Sequence, residues 1–131
     1  MHLLTVFAGL AYFALGGLWF TPFFGKQWDK AVGFNRPTKW RPSAIYYIAP
    51  LLGCLVVSFA ISALFSMLKP ESTQNALMLG LVCGLGFGAA ITSVNAVSPN
   101  MPHPGLYATV TGSYHTVGIV LVSAIQHFFA K

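Results

Sequence analysis

Four apolar runs, Leu3 to Phe24, Ile45 to Leu68, Ala76 to Val97 and Leu106 to Phe129, take up most of this chain. Each is long enough to cross a bilayer, because a helix of about 20 residues spans the roughly 30 Å hydrocarbon core. Inside lipid every backbone N–H and C=O must be paired within the protein, which leaves helices or closed barrels. Strands alternating over about ten residues, as a barrel needs, are absent. The expected fold is therefore all-α: an integral membrane four-helix bundle, one domain over residues 1–131. Composition agrees, since 7% of the residues are charged where a soluble domain carries about a quarter.

Six of the charged side chains lie between Lys26 and Arg41: Lys26, Lys30, Arg36, Lys39 and Arg41 against Asp29 alone. The positive-inside rule puts this loop in the cytoplasm and, with four spans, both termini on the other side. No basic segment precedes the first apolar run, so it reads as a retained span rather than a secretory signal. A bacterial inner (plasma) membrane suits such a chain. The net charge of +5 marks topology and not nucleic-acid binding, which spreads basic residues over a face. The first partner is the lipid bilayer, whose anionic headgroups attract polybasic loops. Phe24, Trp28 and Val32 fall at helical spacing among Lys26, Asp29 and Lys30, so a short interfacial helix should follow the first span. The Arg36-Pro37 and Arg41-Pro42 steps hold the chain extended before the second span.

Gly80, Gly84 and Gly88 recur every four residues in the third span, with Thr92 extending the column. Cys54, Ser58, Ser62 and Ser66 form a similar column in the second, and Gly9 and Gly16 share a face of the first. Small residues let helix backbones touch in lipid. These columns predict packing within one chain or between chains, and a homo-oligomer, a dimer first, is the expected assembly.

The fourth span holds His115 about nine residues in, roughly 14 Å deep at 1.5 Å per residue. Counted from the same face, Gly16, Cys54 and Gly88 reach a similar depth. Thr111 and Ser123 lie on the same face as His115. A neutral imidazole here either satisfies itself on neighbouring helices or binds a substrate or relays a proton, as intramembrane ionisable groups often do. Tyr114 points about 100° away and can serve a different neighbour. Asn95 ends the third span, where its amide can cap that helix or meet the start of the fourth. Trp19 and Thr21, with Trp28, can form a mouth above His115.

Other chemistry finds little support. Asp29 and Glu71 both fall in loops, so carboxylate-coupled ion transport is not expected. Cys54 and Cys83 sit apart inside apolar runs without zinc-site spacing. His115 and His127 are about 18 Å apart along one helix, and His2 with His127, taken as exposed, would make a poor metal pair. No cofactor, metal or catalytic residue is expected, and an enzyme is the least supported class.

The end of the first span reads LGGLWFTPFFGKQW from Leu15 to Trp28, and Gly112 to His115 reads GSYH. The first motif resembles the signature that domain-of-unknown-function family 1761 has at this place, and the second its Gly-Tyr-His run. The chain differs at Phe20, where Tyr is usual, and at Thr21 for Ser. The resemblance implies a small four-span membrane protein and leaves its activity open. Pro22 should bend or end the helix, and Gly25 should permit the turn. The leading expectation is an oligomer that binds or passes a small, weakly polar molecule through a pocket containing His115. The alternative is a non-transporting accessory or scaffold subunit that docks a partner membrane protein.

Overall fold

The computed structural model describes residues 2–130, and helices account for most of them. Five helices follow in order: α1 (His2–Phe23), α2 (Gly25–Val32), α3 (Ile45–Leu68), α4 (Thr73–Ala96) and α5 (Pro104–Phe129). All but α2 are long and apolar enough to cross a membrane. Their outer surfaces expose large apolar side chains such as Phe7, Leu52, Val56, Val82, Phe87 and Ile91, an area that only lipid or a partner would cover. The chain is a multi-pass membrane protein.

Local chemistry sets the helix limits. Ser72 accepts a hydrogen bond from the Asn75 amide at 3.1 Å and caps α4, so this helix starts at Thr73, three residues earlier than hydropathy alone suggests. Pro104 opens α5 at its first turn, where a missing N–H costs nothing. Pro22 has no amide to donate, and α1 ends in a wide turn over Trp19–Phe23 in which the Phe24 amide bonds to Trp19 O at 2.8 Å. A second wide stretch, Gly84–Ala89, interrupts α4. The short helix α2 is present where Phe24, Trp28 and Val32 point to it. It ends on Gly33 at φ +71°, with Phe34 N–H bonding to Asp29 O and Gly33 N–H to Lys30 O, the double bond pattern of a glycine-terminated helix. Gly25 is needed for another reason than a turn, since a Cβ there would lie 2.8 Å from Phe20 O. Lys69 closes α3 in the left-handed region at φ 45°, a conformation that costs a non-glycine residue about 1–2 kcal/mol.

The helix α5 is the centre of the bundle. It packs on α1, α4, α2 and, more lightly, α3, while α3 rests chiefly on α1. Its buried residues run from Val110 to His127. The helix α3 joins the core from Cys54 onward: Cys54 is the first buried residue along it, and Ile45 to Pro50 are all exposed. The first turns of α3, next to the basic loop, therefore add nothing to the buried core. That loop is folded back on itself. Arg36 donates two hydrogen bonds to Asp29, at 2.8 and 2.7 Å, and its guanidinium lies 4.9 Å from the Trp40 ring centre. The paired carboxylate raises the Arg36 pKa further. His103 N–H bonds to Ala31 O at 3.1 Å and ties the last inter-helix loop to α2 at the same end.

The glycine column of α4 is spent inside the chain. A Cβ on Gly80 would meet Ser123 Oγ at 2.6 Å, one on Gly84 would meet Thr116 Cα at 2.8 Å, and one on Gly88 would meet His115 Cβ at 3.1 Å. All three therefore seat α5, and the expectation that this ladder builds an oligomer is corrected. Lipid tails are as apolar as a partner helix, so small residues mark close contact without saying which helix makes it.

Candidate functional site

The middle of the bundle holds a group of polar rings, Tyr12, Tyr114 and His115, each on a residue packed against a glycine of another helix. Tyr12 of α1 lies over Gly118 of α5, whose missing Cβ leaves the room that the ring fills. Tyr114 lies over Gly16, with its hydroxyl 2.8 Å from where a Cβ would stand, and His115 lies over Gly88. The Tyr12 hydroxyl is 2.5 Å from His115 Nδ1. A phenol is the stronger acid of these two neutral groups, so Tyr12 donates, Nδ1 accepts, and the His115 proton sits on Nε2. Tyr12 is 1% exposed, which fixes the ring of His115 from its buried side. Nε2 makes no hydrogen bond among the described residues, and His115 itself is half-buried.

Tyr114 serves a different set of neighbours. Its hydroxyl donates to Tyr12 O at 3.3 Å and meets Cys54 Sγ at 3.5 Å. Its ring packs against Phe20 and His115, both at 4.9 Å between centres, and against Tyr12 at 5.1 Å. Trp19 bridges helices as well, donating from Nε1 to Val110 O at 2.9 Å.

A second polar group lies toward the chain termini, on the face of α5 that His115 shares. Gln126 follows His115 by three helical turns, roughly 16 Å, and is 4% exposed. Its Nε2 donates to Ser58 O at 2.9 Å and Ser58 Oγ at 3.3 Å. Ser58 in turn donates to Thr5 O at 2.7 Å, and Thr5 Oγ1 to Ser62 Oγ at 3.3 Å. Thr5, Ser62, Gln126 and His127 line a cleft of about 360 Å³ that also carries Lys69 and Glu71. Between this cleft and His115 stand Tyr12 and Val122, both almost wholly buried. His115 does not line the cleft.

Not every residue singled out in the sequence joins these groups. Asn95 is exposed and makes no side-chain hydrogen bond among the described residues. It neither caps α4 nor meets α5; the helix end is closed by the bond from Val97 N–H to Val94 O. Thr21 is exposed and unbonded among the described residues, because it stands two residues from Trp19 and so on the opposite side of the helix. The mouth of Trp19, Thr21 and Trp28 is not formed; Trp28 instead stacks edge-on against Phe20 at 6.3 Å. His127 is buried, not exposed, with Nε2 3.2 Å from Thr73 Oγ1. His2 stacks on Phe59. Ser62 is half-buried and Ser66, the last of its column, is exposed.

Two residues carry more of the site than the sequence suggested. Tyr12 falls between Gly9 and Gly16 at helical spacing, the face that packs, and this was the available signal for it. Gln126 has the same kind of signal, since a spacing of eleven residues returns to the His115 face. No curated protein and no solved structure matches this chain. A family model does, over residues 3–126, nearly the full length and including both the LGGLWFTPFFGKQW and GSYH segments. The chain belongs to the family described as Protein of unknown function (DUF1761).

Proposed function

We propose that this protein binds a small, weakly polar molecule within the bilayer at His115, and passes it between the loop end and the terminal cleft. The observation that carries the reading is the Tyr12–His115 hydrogen bond. It holds the ring with Nε2–H free among the described residues, on a half-buried side chain at mid-helix. An unpaired N–H in hydrocarbon is costly, so it favours any molecule that brings an acceptor oxygen or nitrogen. The other side chains near the route, Tyr114, Cys54, Ser58 and Gln126, are neutral, which suits an uncharged ligand. Tyr114 packs the ring and Trp19 holds the loop end of α1 to α5. Passage to the cleft requires Tyr12 and Val122 to part; binding alone does not.

In this reading the basic loop lies in the cytoplasm of a bacterial cell, at the inner membrane, and both termini lie outside. A dimer would use helix faces that the fold leaves open, where Gly17, Gly53 and Gly86 have no neighbour within 4 Å. Those same faces support the second reading, an accessory subunit docked on a partner membrane protein. Native mass spectrometry directly from membranes tests both. The expected result is a small-molecule mass on the wild type that His115→Ala loses while the fold survives. Equal retention by the two would contradict the proposal, and a second polypeptide in place of a small molecule would favour docking.

A further inference from the structure

We infer that the cleft at the terminal ends of α1, α3 and α5 is a site for the headgroup of a phospholipid carrying a phosphate and a primary ammonium. Its volume of about 360 Å³ is within the range of small-molecule sites, roughly 300–1,000 Å³. Two charges of opposite sign, Lys69 and Glu71, line it, yet they are not paired with each other: the ion pair found among the described residues is Arg36 with Asp29. Lys69 also occupies a left-handed backbone position that glycine or asparagine would fill with less strain.

The floor adds directional chemistry. Gln126 spends its amide nitrogen on Ser58, while its carbonyl oxygen accepts nothing among the described residues although the residue is buried. Ser62 accepts from Thr5 and donates to nothing among the described residues. An acceptor and a donor are thus both unspent within the cleft. The walls include Leu4 and Phe65, which suit the apolar upper part of a lipid.

These features select the ligand by charge and by hydrogen bonding. A phosphate answers Lys69, and an ammonium with N–H groups answers both Glu71 and the Gln126 carbonyl. A choline headgroup has no N–H to give, and a glycerol headgroup has no positive charge for Glu71. The lipid source is favoured over a free, water-soluble zwitterion because the cleft lies where three membrane-crossing helices end, at headgroup depth, with apolar walls. The site is separate from His115 and does not depend on that reading.

The test uses the full chain in nanodiscs containing equal parts phosphatidylethanolamine, phosphatidylcholine and phosphatidylglycerol, with retained lipids measured by native mass spectrometry. The wild type should retain phosphatidylethanolamine several-fold over its share. Lys69→Asn, which keeps the backbone conformation accessible, should reduce that retention, and Glu71→Gln should erase the preference over phosphatidylcholine. His115→Ala should retain lipids as the wild type does, which separates this result from the test of the His115 site. Identical lipid profiles in the wild type and both cleft variants would overturn the inference. Displacement of the lipid by stoichiometric glycerophosphoethanolamine would overturn the lipid source in favour of a soluble ligand.

Discussion

Gly118 has no room for a side chain because the ring of Tyr12 fills the space that a Cβ would take. The same ring holds His115 by its Nδ1, so one glycine on α5 sets the position of a histidine three residues before it by way of a tyrosine on α1. Gly118→Ala should expel Tyr12 and cost about 1–3 kcal/mol, as overpacked sites do. Tyr12→Phe should keep the packing and lose only the bond, at about 1 kcal/mol. Unfolding in mixed detergent would measure both, with the alanine variant the less stable.

Ser58 and Ser123 are both fully buried, yet their hydroxyls differ. Ser58 donates to Thr5 O and accepts from Gln126; Ser123 Oγ, seated on Gly80, has no partner among the described residues. Ser58→Ala should destabilise by about 1 kcal/mol. Ser123→Ala should be neutral or mildly stabilising, since an unmade hydrogen bond is only a burden. The same denaturation experiment separates the two.

Gly84 meets the Thr116 backbone, and a larger side chain there must push α4 away from α5. Gly84→Leu should yield a misfolded or unstable monomer. A well-folded protein that has merely changed its oligomeric state in detergent would show that this face is an interface between copies.

For topology, a cysteine placed by Thr38→Cys should resist an impermeant thiol reagent in intact cells and react after permeabilisation. Reaction in intact cells would reverse the assigned orientation.

Helix number and type follow from hydropathy, and α3 matches its apolar run end for end, Ile45 to Leu68. The start of α4 does not, because Thr73, Gln74 and Asn75 are polar and join the helix through the Ser72 cap, which an apolar window passes over. Which helices touch was not legible either. In lipid the buried and exposed faces are equally apolar, so periodicity gives no sign that α5 is central or that Ile45 to Pro50 of α3 stay exposed. The site was half legible. His115 and Tyr114 stand out as polar residues in an apolar span, and the structure adds Tyr12 and Gln126 beside them. Thr21 and Asn95 were chosen by their place at helix ends, where a small backbone change decides which way a residue faces.

The central claim concerns one proton. Nitrogen NMR of His115 in native membranes should find Nδ1 unprotonated and accepting a hydrogen bond, and Nε2 protonated. Washing out the bound molecule should shift the Nε2 resonance and leave Nδ1 where it was. A proton on Nδ1, or an Nε2 signal that stays the same when bound molecules are removed, would contradict the account.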